Sequence, residues 1–121
     1  LMITEHQLPH HHNDNCGEII SHIPDNDVIQ SVADAMKQLG DPTRLRIFWL
    51  LCHTEECVTD IASAIDMSSP AVSHHLKLLK SAGLIVQRRD GKEMLYKAAE
   101  TPLVSYLHQT IEKVGSISCP Q

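Results

Sequence analysis

The sequence predicts a mainly helical fold of about five helices that carries one two-stranded β-hairpin. Three observations predict it. Aromatic residues make up 3 % of the 121 residues although 42 % are hydrophobic, which favours packed helices over a β-sandwich. Apolar residues recur at helical spacing in several segments. An Asp-Gly pair at residues 90 and 91 separates two short extended runs, which is typical of a hairpin turn.

The first two predicted helices are separated by Gly40, a residue type that often ends helices. Residues 27–39 carry apolar side chains at helical spacing. Asp41 and Pro42 then supply an N-cap followed by proline at the first helical position. We therefore expect a second helix through residues 43–52.

The next two predicted helices are joined by a short turn. A third helix is predicted over residues 57–65, and residues 66–68 form the turn. Ser69 and Pro70 repeat the cap-and-proline signal and start a fourth helix that ends before Gly83. This arrangement is a helix-turn-helix, in which the second helix enters the major groove of DNA.

The predicted hairpin follows the fourth helix directly. Its two extended runs are Leu84 to Val86 and Lys92 to Tyr96. A hairpin in this position is the wing of a winged helix-turn-helix.

The last predicted helix spans residues 102–114 and has an apolar stripe that no later element covers. The stripe consists of Leu103, Leu107, Ile111 and Val114. An uncovered stripe on a terminal helix indicates a partner chain, so we expect a homodimer that forms through the first and last of the five helices.

Three segments are expected along the chain. Residues 1–24 are predicted to be a flexible metal-binding arm with His and Cys residues, residues 25–116 the winged-helix DNA-binding and dimerisation domain, and residues 117–121 a C-terminal tail. No apolar run approaches the length of a membrane span, and the polar N-terminus is unlike a secretion signal. The predicted compartment is therefore the cytoplasm.

Disulfides are not expected among the four cysteines in that compartment. Cys52 lies on the apolar second helix and is predicted to be a core residue. Cys119 lies near the end of the sequence and is predicted to be inert.

The charge distribution points to a nucleic-acid partner. The net charge is −5, but residues 68–97 contain six Lys and Arg against two carboxylates. That segment carries +4 and the remainder carries −9. A basic segment on an acidic body is the electrostatic footprint of DNA binding.

The fourth helix has one apolar face and one polar face. Short hydroxyls near its start can approach base edges, and the cations of the helix and the wing can neutralise phosphates. The predicted DNA-binding residues are Ser69, Ser73, His74, Lys77, Lys80, Arg88, Arg89 and Lys92. The alternative is a solvated amphipathic helix followed by a charged hairpin.

Four segments in order resemble the ArsR/SmtB family of metal-sensing repressors, over about residues 27–114. They read LGDPTRLRIFWLL, ECVTDIA, SSPAVSHHLKLLKSAGLI and RRDGKEMLY. The resemblance implies a homodimeric winged helix that binds an operator and leaves it when an inducer binds. It also places Ser69, Ser73 and His74 at positions that face the major groove.

The resemblance further implies a metal site between the arm of one subunit and the third helix of the other. The helix motif keeps Cys57 and Asp60, as in the zinc-sensing variant, whereas Thr59 replaces the second cysteine of cadmium and lead sensors. Cys57 and Asp60 are three residues apart and share a helix face. Cys16 and His12 of the arm complete a ligand set that suits Zn(II) or Cd(II). The competing arm ligands are His6, His10, His11 and His22.

Other members of the family hold metal on the last helix through a D-x-H pair. The corresponding residues here are Glu100, Thr101 and Pro102, so we expect that site to be absent or reshaped. Whether His108 or Glu112 supplies replacement ligands stays open.

We therefore predict a metal-responsive repressor that binds operator DNA as a dimer and is released by Zn(II), Cd(II) or Pb(II). The alternative on the same scaffold is a thiol-based redox or persulfide sensor that uses Cys16 and Cys57, or an arsenite sensor. An interaction module without DNA binding is a further alternative. Catalysis is not expected, because His74 and His75 lie on a basic helix without a glycine-rich loop.

Overall fold

The computed structural model describes residue 10 and residues 15–120. In this part of the chain the helices are α1 (Cys16–Ser21), α2 (Asn26–Leu39), α3 (Pro42–His53), α4 (Val58–Ile65), α5 (Ser69–Ser81) and α6 (Pro102–Gly115). The strands are β1 (Glu56–Cys57), β2 (Ile85–Asp90) and β3 (Glu93–Ala98). The chain divides into two compact units, Leu1–Val32 and Ala33–Gln121. No helix within the described ranges is long and apolar enough to cross a membrane.

The first unit contains a helix that the sequence did not predict. Helix α1 has six residues and lies inside the segment predicted to be a flexible arm. Six residues make fewer than two turns, which is too short for an apolar periodicity to be recognised. Apart from this helix, the predicted division at residues 24 and 116 stays a prediction.

The second unit has one core, which α3, α4, α5 and the sheet share. Phe48 is its largest fully buried side chain, and Ile47, Ile61 and Leu76 pack in the same cluster. The helix-turn-helix formed by α4 and α5 therefore packs against α3. This confirms the predicted helix-turn-helix.

The sheet has the order β1-β3-β2 with antiparallel pairs. The wing pairs Ile85 with Ala98 and Asp90 with Glu93, which confirms the predicted hairpin. Gly91 follows β2 with a φ of +64°, a conformation that suits glycine. The prediction of two strands was incomplete, because the two-residue strand β1 pairs Glu56 with Tyr96 and joins the helix-turn-helix to the wing.

Two predicted helix starts need correction by one residue. Helix α4 begins at Val58, because Cys57 belongs to β1 and is the N-cap. Ser68, not Ser69, caps α5, since its Oγ accepts a hydrogen bond from the backbone N–H of Ala71 at 3.3 Å. Because Ser68 and Ser69 both precede Pro70, the sequence was consistent with either serine as the N-cap.

Apolar side chains of α2 and α6 are exposed in the single chain. On α2, Val28 is 52 % exposed and Met36 is 60 % exposed. On α6, Tyr106 is 67 % exposed and Val114 is 82 % exposed. These are the two helices predicted to form a dimer interface.

Candidate nucleic-acid interface and metal ligands

Helix α5 has one buried face and one exposed face. Val72, Leu76 and Leu79 on the buried face are 0 %, 1 % and 0 % exposed, which confirms the predicted core face. The residues predicted to contact DNA on α5 and the wing are all exposed: Ser69, Ser73, His74, Lys77, Lys80, Arg88, Arg89 and Lys92. Helix α5 therefore presents hydroxyl, imidazole and ammonium groups outwards from a rigid base.

The two adjacent histidines of α5 lie in different environments. His75 is half-buried, and its Nδ1 lies 3.3 Å from Nη1 of Arg44 on α3. Arg44 is itself held by a hydrogen bond from its Nε to the carbonyl of Gln38 at 2.8 Å. His75 thus belongs to the packing between α3 and α5, and His74 is the histidine on the exposed face.

One wing cation has an intramolecular partner. Arg88 donates hydrogen bonds from Nη2 and Nε to the two carboxylate oxygens of Glu55, at 2.6 and 2.9 Å. These hydrogen bonds hold the pKa of the Glu55 carboxyl below its usual range. Any phosphate that binds Arg88 must therefore compete with a bidentate carboxylate. Arg89 and Lys92 are exposed on the same wing.

The two predicted metal ligands of the helix-turn-helix lie together at the start of α4. Cys57 is the half-buried N-cap residue, and Asp60 is exposed in the first turn. A thiol and a carboxylate in one turn are a donor pair that fits a borderline or soft divalent ion. The donor chemistry therefore fits the predicted site.

The predicted arm ligands belong to the first unit. Cys16 is half-buried at the start of α1. The imidazole of His22 contacts the carbonyl of Glu18 through Nδ1 at 2.8 Å. His10 is exposed, and the predicted ligands His6, His11 and His12 lie outside the described residues. The role of the arm in metal binding stays a prediction.

Two of the residues at the positions of the D-x-H pair form contacts within the chain. The hydroxyl of Thr101 caps α6 by accepting a hydrogen bond from the N–H of Val104 at 3.3 Å. Glu100 forms an ion pair with Lys97 at 3.2 Å. The expectation that the last-helix site is absent or reshaped stays a prediction.

A further polar cluster, which the sequence analysis did not assemble, joins α3 to α6. It consists of His53, His108, Glu112 and Cys119, and we call it the α3–α6 cluster. The spacing of His108 and Glu112, four residues apart on one helix face, was the signal in the sequence. No local pattern indicated His53 or Cys119, because Cys119 is 66 residues from His53.

Hydrogen bonding and burial shift the pKa values of groups near this cluster. The hydrogen bond from the Cys119 thiol, followed by His108, holds the pKa of Glu112 below its usual range. The Cys119 thiol donates a hydrogen bond to the Glu112 carboxylate, and this hydrogen bond raises the pKa of Cys119. Cys52, predicted to be a core residue, is half-buried and packs against the core, and burial raises the pKa of its thiol to about 12. Cys119, predicted to be inert, is instead in contact with three polar side chains.

Comparison with known proteins identifies related sequences over most of the chain. Residues 41–86 match the arsR family of bacterial regulatory proteins. The chain is 29 % identical over 92 residues to the HTH-type transcriptional repressor SmtB of Mycobacterium tuberculosis, covering 76 % of this chain and 68 % of the relative. It is 37 % identical over 83 residues to the cadmium resistance transcriptional regulatory protein CadC homolog of Staphylococcus aureus, covering 68 % and 65 %.

A solved structure shares both the fold and the sequence pattern. It is the homodimeric winged helix-turn-helix DNA-binding domain of a possible ArsR-family transcriptional regulator from Mycobacterium bovis. The TM-score is 0.69 at 32 % identity, and the match covers 78 % of this chain and 88 % of that one. The predicted winged helix-turn-helix fold is thereby confirmed.

Proposed function

The chain belongs to the ArsR family of bacterial regulatory proteins, and from this premise we propose that it is a cytoplasmic repressor that binds operator DNA as a homodimer and is released by a metal ion. The observation that carries the proposal is the exposed polar face of α5 beside the basic wing. Both rest on the single core of the second unit. The thiol–carboxylate pair at the start of α4 supports the metal response.

The DNA contacts follow from the chemistry of that face. Ser69 and Ser73 are short residues in the first half of α5, where a recognition helix approaches base edges. Lys77 and Lys80 lie further along the same helix and suit phosphates. Arg89 and Lys92 extend the phosphate contacts to the wing.

A second copy of the chain is the proposed occupant of the exposed apolar faces of α2 and α6. Exposed apolar side chains on one helix mark an interaction site on a protein in water. The related domain from Mycobacterium bovis is homodimeric. A dimer places two copies of α5 so that they read two half-sites one turn of DNA apart.

The proposed effector is Zn(II), Cd(II) or Pb(II), with Cys57 and Asp60 as ligands from α4. Cys16 and His12, or another arm histidine, complete the set from a second copy. Because α4 packs on α5, a metal ion held at the start of α4 acts next to the reading helix. Metal binding then weakens DNA binding, and DNA binding weakens metal binding by the same coupling free energy. The name of the CadC homolog connects that relative with cadmium resistance.

The test is an operator titration of the purified protein with and without Zn(II) or Cd(II). We expect metal to weaken operator binding at least tenfold, which corresponds to about 1.4 kcal/mol of coupling. Cys57→Ser should keep operator binding and lose the metal response. Thr59→Ser, an exposed change in the same turn, is the matched control and should retain both. Equal operator affinity with and without metal would overturn the metal response.

A further inference from the structure

The α3–α6 cluster brings four metal-ligating side chains of one chain together. His53 is the last residue of α3, and His108 and Glu112 lie on adjacent turns of α6. Cys119 follows in the C-terminal segment. The ligand atoms of all four residues lie within 4.8 Å of one another.

The chain reversal after α6 is what brings Cys119 back to the helix. Ser116 adopts a left-handed conformation with a φ of +53°. The N–H groups of Ser116 and Ile117 then donate to the carbonyls of Lys113 and Glu112, at 3.3 and 2.8 Å. This is the Schellman arrangement, which satisfies the end of a helix and turns the chain back. The hydrogen-bonded helix terminus thus turns the chain back towards α6 two residues before Cys119.

The imidazole of His53 is oriented for ligation. Its Nδ1 lies 2.7 Å from the backbone carbonyl of Trp49. A carbonyl can only accept, so Nδ1 carries the proton and donates it, and Nε2 offers its lone pair to the cluster. A histidine whose second ring nitrogen donates to a carbonyl is the usual arrangement of a metal ligand.

Three of the separations between ligand atoms, at 3.4, 3.6 and 3.6 Å, lie near those of a tetrahedral zinc site. Bond lengths of about 2.0–2.1 Å to nitrogen and 2.3 Å to sulfur place tetrahedral ligand atoms about 3.3–3.6 Å apart. Nε2 of His53 and Nε2 of His108 lie 3.4 and 3.6 Å from the Cys119 sulfur. The same two nitrogens lie 3.6 and 3.0 Å from Oε2 of Glu112.

The sulfur–carboxylate contact is shorter than a tetrahedral edge. The Cys119 sulfur lies 2.9 and 2.8 Å from the two Glu112 oxygens, because the thiol donates a hydrogen bond there. A metal ion that binds here displaces that proton. The Cys119 sulfur and the Glu112 oxygen must then separate by about 0.7 Å to reach the distance between two ligands of a tetrahedral zinc ion. Cys119 is exposed and lies outside the core, so a shift of this size requires no repacking of the core.

Three of the four side chains in the cluster are largely shielded from water. The side chains of His53, His108 and Glu112 are 18 %, 22 % and 15 % exposed. One thiolate, two imidazoles and one carboxylate are ligands that suit Zn(II) and do not suit Mg(II) or Ca(II).

We propose that His53, His108, Glu112 and Cys119 form a four-coordinate Zn(II) site within a single chain. The site ties the end of α3 to α6 and to the segment that follows α6. It needs neither the arm nor the ligands Cys57 and Asp60, so it does not rest on the proposed function. It supplies ligands for the last helix in place of the missing D-x-H pair.

The test uses Co(II) as a spectroscopic probe in the full chain. Cys16→Ser/Cys57→Ser is the background, because it removes the thiols of the arm site. We expect this protein to bind one Co(II) per chain with a thiolate-to-cobalt absorption band and the visible bands of tetrahedral cobalt. Adding Cys119→Ser should abolish the thiolate band and weaken Co(II) binding at least tenfold. His108→Ala should weaken binding by a similar factor.

Matched control variants test whether the effects are specific to the proposed ligands. Cys52→Ala in the same background removes the other remaining thiol and should keep the thiolate band. Ser118→Ala and Gln109→Ala change exposed residues beside two ligands and should leave Co(II) affinity unchanged. Circular dichroism checks that every variant is folded.

Two outcomes would overturn the proposal. One is a background protein that binds no Co(II) through sulfur, in which case the cluster is a hydrogen-bonded network only. The other is a thiolate band that survives Cys119→Ser. Neither outcome bears on operator release, which is measured separately and depends on Cys57. The two hypotheses can therefore fail independently.

Discussion

The guanidinium of Arg88 on the wing binds both carboxylate oxygens of Glu55, which precedes β1. The residues are 33 positions apart, and the pairing of β1 with β3 brings them together. Arg88, a wing cation predicted to contact DNA, is thus already paired with a carboxylate within the chain. Its contribution to DNA binding depends on whether a phosphate displaces the carboxylate.

Glu55→Gln should release Arg88 and strengthen DNA binding. One more free cation adds about one phosphate contact, so a plot of log affinity against log salt should steepen by about 0.9. Fluorescence anisotropy on a duplex at several salt concentrations measures the slope. Glu56→Gln removes an equal charge at the next position, where the carboxylate contacts Thr54, and should leave the slope unchanged. Equal slopes for Glu55→Gln and the wild type would contradict the prediction that releasing Arg88 adds a phosphate contact.

Ser68 and Ser69 should have separable effects, because Ser68 caps α5 and Ser69 is exposed on it. Ser68→Ala should lower the free energy of unfolding by about 1 kcal/mol, since an N–H at the helix start loses its acceptor. Urea denaturation measures that change. Ser69→Ala should leave stability unchanged and weaken specific operator binding by about 0.5–1.5 kcal/mol. The reverse pattern would mean that Ser69 is the cap.

The N-cap of α3 should make stability depend on pH in the acid range. The backbone N–H of Arg44 donates to Asp41 at 3.0 Å and holds the pKa of that carboxyl below its usual range. A group whose pKa is lower in the folded state stabilises the protein above its unfolded pKa. That stabilisation is lost as the pH falls through the lowered folded value. Thermal unfolding of Asp41→Asn should show a smaller loss between pH 5 and the acid limit than the wild type. Superimposable pH profiles would rule out this linkage.

A charge on the exposed apolar face of α6 should disrupt the proposed dimer. Val114 is 82 % exposed in the single chain and makes no contribution to the core. Val114→Asp should therefore leave the fold intact and shift the protein to monomers, because burying an unpaired carboxylate in the interface is costly. Sedimentation velocity measures the shift, and operator affinity should fall with it. Gln109→Glu, an exposed change on the same helix, should stay dimeric. A dimeric Val114→Asp protein would place the interface elsewhere.

Local chemistry made much of the fold predictable from the sequence. Asp41 before Pro42 predicted the start of α3, and Gly91 predicted the hairpin turn, because caps and turns depend on residues a few positions away. The apolar spacing on α5 predicted its buried face for the same reason. The basic segment of residues 68–97 was likewise predictable, because its net charge depends only on the residues it contains. The helix α1 and the strand β1 escaped prediction because each is too short to produce a periodic pattern.

By itself, the sequence determined the winged helix-turn-helix, the exposed polar face of α5 and the thiol–carboxylate pair of Cys57 and Asp60. The tertiary structure alone decided that Arg88 is paired with Glu55 and that Cys119 reaches His53. Both contacts join residues separated by tens of positions, and their geometry depends on how strands pair and how a helix ends. Such contacts leave no periodic or capping signal in the sequence. The candidate zinc site between α3 and α6 was therefore recognisable only after the chain had been folded.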